Sequence, residues 1–136
     1  MVANTQHAIL ADRRILIVDD SPELTALLAD VFLFAGARPT QVNNGPDAIT
    51  KLLDGDYDAI LLDMSLAPSD GRRILEFMSF RPDWIHRTAV LTGGICNADV
   101  LRTADELGVS RLDKPFLISD LLALACGLVT GETTAA

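Results

Sequence analysis

Four stretches of the chain place side chains that can do chemistry just past short apolar runs: Asp19-Asp20, Asp63, Thr92 and Lys114. Three carboxylates brought together repel one another, and burying them unpaired is costly, so something cationic must sit among them. Hard divalent cations prefer oxygen ligands, and Mg²⁺ takes only one or two carboxylates, keeping waters and substrate oxygens for the rest. Lys114 adds a point charge suited to a phosphoryl oxygen and Thr92 adds a hydroxyl donor. The set reads as a phosphoryl-transfer site, where positioning and charge neutralisation do most of the work. A carboxylate can itself be the nucleophile, giving an aspartyl phosphate. The residues alone leave open which Asp attacks. Taken singly, each has a plainer role: a helix cap for Asp19-Asp20, a loop start for Asp63, a strand-end hydroxyl for Thr92 and a solvated charge for Lys114. Only their joint occurrence at converging strand ends points to a site.

The elements that must converge are legible as an alternation. Arg14 to Val18, Ala59 to Leu62, Thr88 to Thr92 and Val109 to Leu112 read as short strands, and Arg38 to Val42 as a weaker one. Pro39 interrupts that weaker strand and suggests an edge. The unbroken apolar run Ala59 to Leu62 is that of a strand covered on both faces. Between the strands lie helical patterns. One starts at Ser21-Pro22-Glu23, carries Leu24, Leu27, Leu28 and Val31, and stops at Gly36; the next, after Asn43-Asn44-Gly45-Pro46, carries Ala48, Ile49, Leu52 and Leu53. A third follows Gly71 with Ile74, Leu75 and Met78, a fourth spans Asn97 to Leu107 before Gly108, and a last one starts at a Ser119 cap. Trp84 and His86 fall in the loop before the fourth strand, to pack or to face solvent. Met1 to Asp12 has no clear periodicity and reads as a loose leader, and Thr130 to Ala136 as a polar tail. Five β–α alternations imply an α/β fold: a five-stranded parallel sheet, doubly wound, with right-handed crossovers and helices on both faces. In such a sheet the strand ends share one edge, where open α/β folds bind their ligands.

Composition narrows the function. The 136 residues fit one domain, and 49% hydrophobic with 22% charged residues is globular. A net charge of −8 without a basic cluster argues against nucleic acid and anionic membrane as partners. Cys96 and Cys126 match no metal or redox spacing. No apolar stretch has the length of a membrane span and the start lacks a secretory pattern, so a cytoplasmic protein is expected.

From about Arg13 to Leu128 the chain resembles the receiver domains of two-component response regulators. The resemblance rests on Ile17-Val18-Asp19-Asp20, Leu61-Leu62-Asp63 with Asp70-Gly71 following, Thr92, and Lys114-Pro115-Phe116, in order and each at its own strand end. It implies a flavodoxin-like three-layer (βα)5 sandwich of strand order 2-1-3-4-5, with a receiver domain at 13–129, the leader at 1–12 and a flexible tail at 130–136. It makes Asp63 the phosphoacceptor. Asp19, Asp20, Asp63 and the backbone carbonyl of Ser65 would hold Mg²⁺ or Mn²⁺, Thr92 would bond the phosphoryl group, and Lys114, aimed inward by a cis Lys114-Pro115 peptide, would pair with it. The donor it implies is a sensor histidine kinase or a His phosphotransfer protein. An output partner or a second copy would meet the face formed by the helix before Gly108, the fifth strand and the last helix.

Several positions depart from the family pattern. Arg111 stands three residues before Lys114, where a Tyr or Phe is common, so an aromatic switch cannot operate there. Ala67 stands where a loop Pro is common, with Pro68 one later. Gly93 occupies a position where small residues leave access to the phosphoryl group, and Ser65 with Gly94 lies where its lifetime is tuned. Two other functions are weighed. A binding-only receiver that no longer switches is suggested by Arg111. A haloacid-dehalogenase-like phosphatase would use the same residue types, but neither Asp63-Met64-Ser65 nor Asp19-Asp20-Ser21 offers its Asp-x-Asp, and no capping insertion is available.

Overall fold

The computed structural model describes residues 7–64, 68–93 and 98–131, without the side chains of 68–70. Its elements run β1 Arg14–Val18, α1 Pro22–Phe34, β2 Arg38–Val42, α2 Gly45–Asp54, β3 Ala59–Asp63, α3 Pro68–Met78, α4 Pro82–His86, β4 Thr88–Thr92, α5 Ala98–Leu107, β5 Ser110–Asp113 and α6 Ile118–Thr130. The strands form one parallel sheet in the order β2-β1-β3-β4-β5. This is the doubly wound (βα)5 order anticipated above. β3 and β4 are buried along their whole length, whereas edge strand β5 alternates half-buried with exposed residues. β2, with Pro39, is the other edge.

Alternation along the strands divides the core into two layers. Leu16, Val18, Ile60, Leu62 and Val90 face α2, α3, α4 and α5, meeting Leu52, Ile74, Met78, Trp84 and Val100. Ile15, Ile17, Leu61 and Leu91 face α1 and α6, meeting Leu28, Phe32, Leu121 and Ala125.

Helix starts differ most from the sequence reading. α3 begins at Pro68, so Gly71 lies inside the helix, and a Cβ there would stand 3.5 Å from Val100 Cγ1. That is ordinary van der Waals distance, so Gly71 is a residue within the helix and not its boundary. α6 begins at Ile118 with extended Leu117 as its cap residue, and the Asp120 carboxylate accepts the Leu117 N–H at 3.3 Å; Ser119 is the second helical residue, not the cap. The stretch read as a loop around Trp84 is the short α4, whose Trp84 is buried and stacks on Phe77 at 5.2 Å between centroids, while His86 is exposed. Gly36, at φ +86, takes the left-handed conformation that ends α1.

The segment read as a leader also takes part in the core. Residues 7–10 form a helical turn, Leu10 is fully buried in the α1–α6 layer, and Asp12 N–H donates to the Gly36 carbonyl at 2.8 Å. Leu10→Ala is therefore expected to cost about 2–5 kcal/mol in denaturant unfolding. A loss below about 0.5 kcal/mol, the range of surface substitutions, would mean that this segment is not part of the folded unit.

Candidate functional site

The carboxyl edge of the sheet is built by register. Val18 and Leu62 are the last partners of the β1–β3 pairing, so Asp19 and Asp63 follow them on adjacent strands, about 4.8 Å apart in a parallel sheet. Both carboxylate residues are buried, Asp19 fully and Asp63 to 2% exposure, while Asp20 is exposed. Asp63 is matched by Lys114, whose Nζ stands 2.5 Å from Asp63 Oδ2. Lys114 reaches it from the end of β5, two strands away. Its backbone N–H donates to the Thr92 carbonyl, and the Lys114-Pro115 peptide is cis.

Gly93 permits that reach. A Cβ at Gly93 would meet Lys114 Cβ at 2.6 Å, closer than any real contact of this kind, so the lysine stem lies against bare backbone. The sequence reading gave Gly93 the task of leaving access to a phosphoryl group; its visible task is to let Lys114 pass.

The acidic loop is tethered from β2. Asn43 Nδ2 donates to the Asp19 carbonyl at 2.8 Å and to Thr25 Oγ1 at 3.1 Å, and buried Thr25 donates to the Pro22 carbonyl. Asp19 Oδ1 accepts the Ser21 N–H, and Ser21 Oγ caps α1 by accepting from Leu24 N–H. The sequence reading gave Asn43 only to a turn and left Thr25 out, because their partners, the Asp19 and Pro22 carbonyls, the Gln41 side chain and each other, are set by the fold.

Thr92 is placed differently from Lys114. It continues the row of Val90, and its hydroxyl donates to Asp113 Oδ1 at 2.6 Å on the register partner in β5. The same oxygen accepts Arg111 Nε at 2.9 Å. The structure thus brings Lys114 to Asp63 and turns the Thr92 hydroxyl to Asp113. Ser65 and Gly94, and with them the expected carbonyl ligand, lie outside the described residues.

The family model for the response regulator receiver domain matches residues 15–125. The chain belongs to that family. Among curated relatives of this receiver, the transcriptional regulatory protein TcrA of Mycobacterium tuberculosis is 33% identical over 110 residues, 81% of this chain and 43% of TcrA. The receiver thus spans less than half the length of that relative. Sporulation initiation phosphotransferase F of Bacillus subtilis is 32% identical over 113 residues, covering 82% of this chain and 90% of that protein. A CheY-like receiver domain protein from Methanospirillum hungatei superposes with a TM-score of 0.76 at 22% identity, over 90% of this chain and 98% of the other. The beryllofluoride-activated NtrC4 receiver domain dimer gives a TM-score of 0.73 at 24% identity, over 88% and 98%. These last two likenesses speak for the fold. Receiver domains are signalling domains of two-component systems rather than turnover enzymes. Among the described residues, no helix is long and apolar enough to cross a membrane.

Asp113 carries an electrostatic mark of its position. The Thr92 hydroxyl first, and the Arg111 hydrogen bond second, hold its carboxyl below the usual aspartate range. A depressed folded-state value stabilises the fold above the unfolded value and loses that effect as pH falls through the folded one. In an NMR titration, Asp113 of the receiver should titrate below an ordinary exposed aspartate, and Thr92→Val should raise its midpoint. An unchanged midpoint in that variant would contradict the hydroxyl's leading part.

Proposed function

We propose that this receiver accepts a phosphoryl group onto Asp63 from the phospho-His of a sensor histidine kinase or His phosphotransfer protein, in the cytoplasm. The observation that carries the reading is the buried Asp63 carboxylate at the sheet's carboxyl edge, 2.5 Å from Lys114. In the transfer an Asp63 carboxylate oxygen attacks phosphorus in line and the P–N bond to the imidazole breaks. The bond pair stays on the imidazole nitrogen, and because the donor's other ring nitrogen carries a proton, the products are neutral His and an aspartyl phosphate. Lys114, already beside Asp63, neutralises charge on the phosphoryl oxygens. Thr92 would bond the phosphoryl group after turning from Asp113.

The donor set suits a hard cation. Asp19 and Asp63 are adjacent oxygen donors, Asp20 is next in the chain, and the Ser65 carbonyl completes the expected set. Among the described residues no three acidic, His or Cys side chains cluster at metal-ligating reach, so exposed Asp20 would have to turn toward Asp19 and Asp63 to join them on an ion. When bound, Mg²⁺ or Mn²⁺ supplies charge that shields the attacking carboxylate from the incoming anion.

The phosphoryl state would shift a pre-existing equilibrium of the face formed by α5, β5 and α6, where an output partner or a second copy would bind. A second reading, a receiver that binds partners without switching, is favoured by Arg111 at the aromatic position.

With Mg²⁺ and a small acyl phosphate donor, intact mass should reveal one phosphoryl adduct on the wild type and none on Asp63→Asn. Lys114→Ala should slow its formation on the order of 10²-fold. An unmodified wild type under saturating donor sinks the proposal and leaves the binding-only reading.

A further inference from the structure

Asp113 and Lys114 are adjacent in the chain and act in opposite directions. Lys114 reaches to Asp63 at 2.5 Å, whereas Asp113 takes the Thr92 hydroxyl at 2.6 Å. Thr92 is 4% exposed, whereas the Asp113 and Arg111 side chains are 69% and 43% exposed. Asp113 Oδ1 accepts both the buried hydroxyl and Arg111 Nε, so one oxygen joins the inner end of β4 to the outer surface of β5. β5 is an edge strand, and a change there reaches the surface directly.

A hydroxyl has one proton to donate. Thr92 can give it to Asp113 or to a phosphoryl oxygen on Asp63, but not to both. Both acceptors are anionic, so each makes a charge-assisted bond and the two compete. We propose that Asp113 is a positioning residue: it holds the Thr92 hydroxyl away from Asp63 in the unphosphorylated chain and, with Arg111, carries its release to the β5 edge. The inference rests on the reading of Asp63 as phosphoacceptor. When Thr92 turns to the phosphoryl group, Asp113 Oδ1 loses one of its two donors and the Arg111–Asp113 pair relaxes. A polar relay thereby takes the place of the aromatic that Arg111 excludes.

The test uses the full chain with Mg²⁺ and beryllofluoride as the phosphoryl mimic. Asp113→Ala removes the competing acceptor and should tighten beryllofluoride binding on the order of three- to tenfold. Asp113→Asn removes the charge but keeps an oxygen able to accept the hydroxyl, so it should tighten binding by clearly less than Asp113→Ala does. In a Thr92→Ala background the gain from Asp113→Ala should vanish, because the two changes act through one hydrogen bond. The Arg111 Nε–H resonance should move on beryllofluoride addition in wild type and not in Asp113→Ala. If Asp113→Asn tightens binding as much as Asp113→Ala, local charge and not the hydroxyl is responsible, and the proposal is overturned. Wild-type binding with Asp113→Ala unchanged, or with a static Arg111 signal, overturns the relay and leaves the phosphoacceptor reading standing. No binding by wild type overturns both.

Discussion

A carboxylate that is 2% exposed at the end of a strand covered on both faces must be neutralised, and the Lys114 ammonium does this for Asp63. Much of the upper edge is arranged around that pair. A lone ionised carboxylate at this depth would pay a desolvation cost of several kcal/mol or take up a proton and lose its nucleophilicity. A lysine rather than an apolar cover places a movable point charge beside Asp63. Lys114 itself remains 32% exposed, so the pair opens to solvent and to an incoming anion instead of being sealed in the core.

The reach of that lysine depends on three strands being in register. β3 presents Asp63 beside Leu91 of β4, and β4 presents Thr92 beside Asp113 of β5, so the residue after Asp113 lies one step past the sheet edge. Bare backbone at Gly93 lets the stem cross. On the other side, β1 brings Asp19 alongside Asp63, and the Asn43–Thr25 hydrogen bonds fix the acidic turn at its backbone rather than at its carboxylates. The Asn43 tether thus adds to the Ser21 N–H bond on Asp19 Oδ1 without using a carboxylate oxygen itself.

Strand ends were legible in the sequence because a strand buried on both faces is an unbroken apolar run, and the residue that follows it is marked by contrast. Ala59 to Leu62 followed by Asp63 is the clearest instance; alternation implied the parallel sheet, and the strand order came from the family resemblance. Helix starts were less legible where Gly71 and Ser119 read as punctuation. The first lies three residues inside its helix, and the second lies one residue inside a helix whose first-turn carboxylate, Asp120, meets the Leu117 N–H. Leu10 was hidden because a single helical turn is too short to have a period. The hydroxyl of Thr92 was the least legible part of the site. Residue type says that it donates, but the acceptor is chosen by the β4–β5 register and by side-chain alternation, which set Thr92 against Asp113.

The phosphoacceptor role requires that Asp63, and not Asp19 or Asp20, carries the phosphoryl group. Hydride reduction of the phosphorylated chain converts an aspartyl phosphate to homoserine, and peptide mass mapping locates it. Homoserine at position 63 alone is the predicted result. Homoserine at position 19 or 20, with position 63 still aspartate, would contradict it.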